Sequence, residues 1–212
     1  MTANTGAVTW ANGATGKVGL ISSANSLVGT TAEDRIGGGV YPLKNGHYVI
    51  SSPNWNNGAT ADVGAVTWGN GVTGLTGTLS SGFSIVGSHA NDRISDGGIT
   101  ALTNGNYVIS SPYWDNGGAA DVGAVTLATG SAPTSGVITS TNSLFGVSTG
   151  DFIGQRVVSL TNDNYVISNP YWNQGGLTDV GSVTLKNGNI GYIRKQHRLI
   201  QRHDMERYIE HL

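Results

Sequence analysis

One eleven-residue phrase occurs three times in the chain, as NGHYVISSPNW, NGNYVISSPYW and NDNYVISNPYW, at 45–55, 104–114 and 162–172. The copies are regularly spaced, because Tyr48, Tyr107 and Tyr165 lie 59 and 58 positions apart. Self-similarity at a fixed period of this length indicates one supersecondary unit that is copied and stacked. It also argues against a single active site assembled from scattered residues.

A second phrase, GAVTW or a close variant of it, occurs four times and begins at Gly6, Gly64, Gly123 and Gly181. The two phrases together predict a repeat domain over 1–189, divided into units at 1–38, 39–97, 98–156 and 157–189. The first and last of these units are partial.

The composition favours an all-β fold that is rich in turns. Glycine accounts for 33 of 212 residues and charged residues for only 11%, against usual values of about 7% and about 25%. The net charge of −2 predicts no general attraction to nucleic acid or to an anionic membrane. The chain has no cysteine, which excludes disulfides and thiolate chemistry.

The sequence favours neither a membrane span nor an export signal in its first residues. No apolar run approaches the roughly 18 residues of a membrane helix, so we expect no membrane insertion. The N-terminal residues MTANTGAVTW lack a basic segment and an apolar stretch, so we expect no signal peptide here. The repeat begins within five residues of the start, which favours a piece of a longer array.

A single unit, taken at 39–97, is predicted to contain four strands. Strands are expected at 40–43, 47–52 and 63–68, with Asn45-Gly46 as a two-residue type I′ turn between the first two. A fourth, bent strand is expected over 75–86. Small side chains on one face of the strands and large ones on the other suit sheets that stack face to face, as propeller blades do.

The order of these strands resembles the FG-GAP repeat, the blade unit of the integrin α-subunit propeller. The resemblance is carried by Arg35-Ile36-Gly37, by Leu43, by the strand Val49–Pro53 and by the strand Gly64–Trp68. It implies a β-propeller. The amino-acid sequence of the repeats is also similar to that of tandem repeats in large bacterial haemagglutinin-like and adhesin-like surface proteins.

The resemblance to FG-GAP repeats stops at the calcium loop, because the turns read LKNG, LTNG and LTND. These turns offer too few carboxylates for a hard cation, so we expect no metal and no cofactor. Three units are also fewer than the 4–8 blades of ordinary propellers. An open-ended array, a ring completed by further copies of the chain and a compact trefoil-like closure all remain open.

The C-terminal segment 190–212 differs from the repeats in composition. It reads IGYIRKQHRLIQRHDMERYIEHL, with apolar residues at loosely helical spacing. We expect a short C-terminal helix, or alternatively a sequence foreign to the repeat domain.

Two sets of aspartates recur in register, at Asp34, Asp92 and Asp151 and at Asp62, Asp121 and Asp179. A residue present in every unit usually serves the unit itself, so we expect these side chains to cap turns. A ring of ion or ligand sites is the alternative. No catalytic group breaks the repeat, so we expect no enzyme.

Aromatic side chains close the second strand of every unit and are the candidate binding residues: Trp55, Trp114 and Trp172, with Tyr113 and Tyr171 beside two of them. One interpretation is that these rings pack on the neighbouring prolines. The other is an exposed platform for sugar rings or partner chains.

The sequence therefore predicts a non-catalytic structural or adhesive repeat module of a bacterial surface or secreted protein, located at the cell surface or outside the cell. A carbohydrate-binding, lectin-like propeller is the alternative. The expected partner is a protein or glycan ligand, and copies of the chain could associate to complete a ring.

Overall fold

The computed structural model describes residues 4–189, and all of its regular secondary structure there is β-strand. The C-terminal helix expected over 190–212 lies outside the described residues. No helix in residues 4–189 is long and apolar enough to cross a membrane. The described part of the chain contains fifteen strands: β1 Ala7–Val8, β2 Leu27–Val28, β3 Gly39–Pro42, β4 Tyr48–Ser52, β5 Ala65–Gly69, β6 Gly77–Thr78, β7 Ser84–Val86, β8 Ile99–Ala101, β9 Tyr107–Ser111, β10 Ala124–Ala128, β11 Gly136–Val137, β12 Leu144–Phe145, β13 Arg156–Ser159, β14 Asn164–Asn169 and β15 Ser182–Asn187.

These strands form four small sheets, one for each unit predicted from the sequence. Their strand orders are β1-β2-β6, β11-β7-β5-β4-β3, β12-β10-β9-β8 and β13-β14-β15. Within a unit the strands pair antiparallel, as β3, β4, β5 and β7 do in the second sheet. We call the four units U0 to U3 in chain order.

The predicted bent fourth strand over 75–86 is wrong, because its two halves belong to different sheets. β7 pairs with β5 of its own unit, whereas β6 pairs parallel with β2 of the preceding unit. β11 repeats this arrangement by pairing parallel with β7. Each of U1 and U2 thus extends an arm, residues 75–79 or 134–138, back onto its predecessor.

The turn between the first two strands of a unit is also different from the prediction. Leu43 and His47 close a three-residue loop, since the Leu43 amide donates to the His47 carbonyl over 2.8 Å. Only Gly46 in this loop has a positive φ, of 85°. A three-residue loop with glycine at the left-handed position is the alternative to the two-residue type I′ turn.

The core lies between consecutive sheets, because each sheet has two different faces. The face toward the preceding unit carries the tyrosine and isoleucine of the second strand. Tyr165 and Ile167 of U3, for example, pack with Val108 and Val125 of U2. The opposite face carries valines and the Trp or Leu of the third strand, and Trp68 packs in one cluster with Tyr107 and Ile109 of the next unit.

The described units are joined in a row, each to its neighbours. Among residues 4–189, β1 and β15 each pair with a single strand, and they do not pair with each other. The all-β repeat architecture is therefore as predicted, whereas closure into a propeller and an FG-GAP blade are not shown.

Candidate functional site

A fully buried aspartate recurs at the junctions between units. Asp34, Asp92 and Asp151 each have no exposed surface. Every one of them follows the last strand of a unit by a few residues. A buried carboxylate must be hydrogen-bonded, because leaving its charge without partners in the interior is costly.

Each of these carboxylates accepts backbone amide hydrogens from both sides of its junction. The Asp92 Oδ2 atom accepts from the amides of Ser88 and His89 over 2.7 and 2.8 Å. Its Oδ1 atom accepts from the amide of Asp115 in the next unit over 3.0 Å. Burial raises the pKa of Asp92, although these amides and the nearby His89 oppose the rise.

The same pattern occurs at the other two junctions. Asp34 accepts from the amides of Thr30 and Thr31 and from the amide and side chain of Asn56. Asp151 is bonded in the same way by Val147, Ser148 and Asn173. The expectation that these aspartates cap turns is confirmed, and they also tie two units together.

The second set of aspartates acts through the backbone. Asp62, Asp121 and Asp179 have left-handed φ values of 48°, 53° and 54°, a conformation that Asp and Asn tolerate better than most residues. The Asp62 carbonyl then accepts from the amide of Arg93 over 3.0 Å. The side chains of these residues were expected to cap turns. Instead, their left-handed backbone bends the chain where it meets the segment that leads to the next unit.

A glycine makes the crossing possible at each junction. Gly64 has φ of +77°, and a Cβ atom built on it would lie 2.2 Å from the Ile94 nitrogen. Gly6 and Gly123 make the same approach to Ile36 and Ile153. Gly6, Gly64 and Gly123, which open three copies of the GAVTW phrase, are therefore fixed by close backbone contact with the segment that leads from their own unit to the next.

Side-chain donors complete each junction by bonding to a turn of the next unit. The Asn45 Nδ2 and Trp68 Nε1 atoms both donate to the Gly130 carbonyl, each over 2.8 Å. Asn104 bonds the equivalent Gly188 carbonyl over 3.0 Å. Trp10 bonds Gly71 over 3.1 Å.

The tryptophans predicted as a binding platform are mostly in the interior. Trp55 and Trp114 are only 4% and 3% exposed, and both belong to hydrophobic clusters between sheets. Trp172, in the last unit, is half-buried. Trp55 and Trp114 therefore cannot present their faces to a sugar, because neighbouring side chains already cover them.

The predicted tyrosines do reach the surface, and the structure brings them together through a residue that the sequence did not single out. Phe152 lies between Tyr113 and Tyr171, with ring centroids 5.9 and 6.0 Å away, in edge-to-face geometry. The guanidinium carbon of Arg93 lies 5.9 Å from the centre of the Tyr113 ring. We call Arg93, Tyr113, Phe152 and Tyr171 the aromatic row.

The backbone beneath the aromatic row is unusual for such residues. Arg93 and Phe152 have φ values of 42° and 46°, and a bulky residue in the left-handed region is uncommon. The sequence could have indicated Phe152 by its position in the repeat, since Arg35, Arg93 and Phe152 each follow a junction aspartate directly. Tyr171 is 46% exposed, whereas Tyr113 and Phe152 are half-buried.

Metal binding has no evident basis in this part of the chain. Among residues 4–189, no group of three or more His, Asp or Glu side chains is arranged to hold a metal ion. The buried aspartates Asp34, Asp92 and Asp151 lie one to a junction, and their carboxylate oxygen atoms accept from backbone amides.

Comparison with known protein families agrees with the repeat seen in the structure. A family model described as "Repeat of unknown function (DUF5650)" matches four stretches of the chain, at 1–38, 42–96, 101–155 and 159–195. A search of curated proteins finds no match. The four matched stretches correspond to U0 to U3 and cover most of the sequence, so the chain belongs to the DUF5650 repeat family.

Proposed function

We propose that the chain is a non-catalytic structural repeat module of a bacterial surface or secreted protein, in which stacked units maintain an extended scaffold for adhesion. The observation that carries this proposal is the recurrence of the same junction, with buried aspartate, crossing glycine and side-chain donor. A structural scaffold requires the same junction between every pair of units, and it does not require a single binding or catalytic cleft. The recurring polar groups form their hydrogen bonds within the junctions.

A change in the number of units tests the scaffold directly. Duplicating 64–122 joins Val122 to a second Gly64, so the new link keeps the Val-Gly pair found at Val63-Gly64 and Val122-Gly123. We expect the longer chain to fold, with a far-UV circular dichroism spectrum of the same shape and a larger maximum dimension in X-ray scattering. The reason is that contacts in repeat arrays are made between neighbours.

The contrary result would be a duplicated chain that is unfolded or aggregated while the natural chain folds. That result would favour a closed arrangement with a fixed number of units. A variant with the same number of added residues, inserted as a Gly/Ser linker after Gly58, serves as a control for added length without an added unit.

The second candidate function is binding of a glycan or a protein chain at the aromatic row. It is favoured by the continuity of Arg93, Tyr113, Phe152 and Tyr171 across two junctions and by the exposure of Tyr171. Aromatic rings supply a large apolar contact area with little conformational freedom to lose. The aromatic row thus replaces the tryptophans that the sequence suggested as binding residues.

Removal of the exposed ring tests this candidate without disturbing the core. If a glycan array detects binding, Tyr171→Ala should weaken it about tenfold or more, and Tyr171→Phe should retain most of it because the ring remains. Equal binding by wild type and Tyr171→Ala, or no binding to any glycan, would contradict a sugar site here. Trp55→Ala and Trp114→Ala are unsuitable, since truncating a buried tryptophan costs about 3–5 kcal/mol of stability.

A further inference from the structure

The sequence contains seven asparagines that are followed directly by glycine, at positions 12, 45, 57, 70, 104, 116 and 187. An Asn-Gly pair is reactive because glycine has no Cβ atom that would keep its amide nitrogen away from the asparagine carboxamide. Two groups held this close can react within the chain. The fold therefore decides which pairs react, through the hydrogen bonds that it forms to the carboxamide and to the glycine amide.

Two of these pairs have both reacting groups free. The side chains of Asn57 and Asn116 form no hydrogen bond with any residue among 4–189, and neither do the amides of Gly58 and Gly117. All four residues are exposed. A Cβ atom built on either glycine meets nothing within 4 Å, so no neighbouring group obstructs the approach of the carboxamide to the glycine nitrogen.

The two free pairs occupy the same position in consecutive units, at a two-residue hairpin loop. Asn57 and Thr60 exchange backbone hydrogen bonds of 3.0 and 3.1 Å, and Asn116 and Ala119 do so over 3.0 and 3.2 Å. The glycine after each asparagine has a positive φ, of +63° in U1 and +61° in U2. Because their surroundings are alike, the two pairs should behave alike.

The Asn-Gly pair in the turn between the first two strands of a unit is held at both reacting groups. The Asn45 Nδ2 atom donates to the Gly130 carbonyl over 2.8 Å, and the Gly46 amide donates to the Leu43 carbonyl over 3.2 Å. Asn104 repeats this arrangement in U2. These bonds must break before the nitrogen can attack, so we expect both pairs to be protected.

The remaining three pairs are held less completely. At Asn70, the amide of the following glycine donates to the Nδ1 atom of His47 over 3.2 Å. The Oδ1 atoms of Asn12 and Asn187 each accept from the amide two residues further on, over 2.8 Å. We expect these three pairs to react at intermediate rates.

We infer that Asn57 and Asn116 are sites of spontaneous covalent modification, at which asparagine becomes aspartate or isoaspartate without an enzyme. The Gly58 nitrogen loses its proton to hydroxide and attacks the Cγ atom of Asn57. The new N–Cγ bond closes a succinimide ring, and the Cγ–Nδ2 bond breaks. The amide group leaves as ammonia with a proton from water, which regenerates hydroxide.

Water then opens the succinimide at one of its two carbonyl carbons. Cleavage of the N–Cγ bond gives aspartate, whereas cleavage of the bond between the nitrogen and the main-chain carbonyl carbon gives isoaspartate. Either product adds one negative charge to a chain whose net charge is −2. Since the two sites share one position in the repeat, carboxylates would accumulate at equivalent loops of consecutive units.

The third copy of this loop provides a comparison within the chain. Gln174 holds the position of Asn57 and Asn116 in U3, and its longer side chain would have to close a larger ring, which is slower. The residue before the site also differs, since Asp115 carries a carboxylate where U1 has the neutral Asn56. A negative charge opposes deprotonation of the nearby amide, so Asn57 should react somewhat faster than Asn116.

Peptide mapping by mass spectrometry of the full chain, after incubation at neutral and at alkaline pH, tests this inference. Asn57 and Asn116 should convert at least about tenfold faster than Asn45 and Asn104. The rate should rise with pH, because the attacking nitrogen must lose a proton. In chain unfolded by urea the seven pairs should convert at similar rates, since the bonds that protect five of them are then absent.

The matched variant is Asn57→Gln, which places the residue of U3 in the loop of U1. It should remove conversion at position 57 and leave the rate at Asn116 unchanged. Equal rates at Asn57 and Asn45 in the folded chain would overturn the inference. So would a folded chain that stays unmodified at Asn57 and Asn116 while the urea-unfolded chain converts there. The inference does not depend on the proposed scaffold role, and either result would leave the unit-duplication test unaffected.

Discussion

Replacing Asp92 by alanine should lower the free energy of unfolding by about 3–4 kcal/mol, among the largest effects of any single substitution in the chain. The variant leaves the amides of Ser88, His89 and Asp115 without their acceptor. Each of these partly buried amides that loses its partner costs up to about 1–3 kcal/mol. Urea unfolding followed by tryptophan fluorescence measures the loss.

Two further substitutions control the Asp92 experiment. Asp96→Ala removes an exposed carboxylate four residues away, and it should change the free energy of unfolding by less than about 0.5 kcal/mol. Asp92→Asn should cost less than Asp92→Ala, because an oxygen acceptor remains. Burial also raises the pKa of Asp92 by penalising its charged form, and asparagine carries no charge. A loss for Asp92→Ala no larger than that of Asp96→Ala would contradict the role of the junction carboxylate.

Replacing Gly64 by alanine should be at least as damaging, with an expected loss of about 3 kcal/mol or more. The added Cβ atom would lie 2.2 Å from the Ile94 nitrogen, so the backbone at Gly64 and the segment that leads to the next unit must separate locally. The positive φ of Gly64 adds the ordinary cost of placing alanine in the left-handed region, about 1–2 kcal/mol.

Gly58→Ala isolates the backbone part of that cost. Gly58 also has a positive φ, of +63°, but a Cβ atom built on it meets nothing within 4 Å. Its substitution should therefore cost only about 1–2 kcal/mol. Equal melting temperatures for the Gly64→Ala and Gly58→Ala variants would show that the close approach of Ile94 to Gly64 does not limit stability.

The sequence predicted the all-β repeat and the approximate strands because both follow from local patterns. The period places β4, β9 and β14 in register, and β-branched residues between turns favour strands. The arm was missed because β6 reads like the first half of one strand with β7. Its assignment to the preceding sheet depends on pairing with Leu27 and Val28, some 50 positions earlier, which no local pattern specifies.

The candidate site was predicted in part. Recurrence alone indicated that Asp34, Asp92 and Asp151 serve the unit, and the structure shows how. Recurrence could not distinguish a tryptophan that packs between sheets from one that faces solvent, because burial of Trp114 depends on packing with the preceding unit. Phe152 was missed for the same reason, since its contact with Tyr113 and Tyr171 joins three separate loops.

Amide hydrogen exchange at the junctions tests most directly whether buried aspartates join neighbouring units. In the wild-type chain, the loop amides of Ser88, His89 and Asp115 should exchange slowly despite lying outside strands, because Asp92 accepts from all three. In Asp92→Ala these amides should lose protection, while those of Thr30, Thr31 and Asn56 at the first junction keep theirs. Fast exchange of the three amides in the wild-type chain, or equal loss of protection at both junctions in the variant, would contradict an array joined by its buried aspartates.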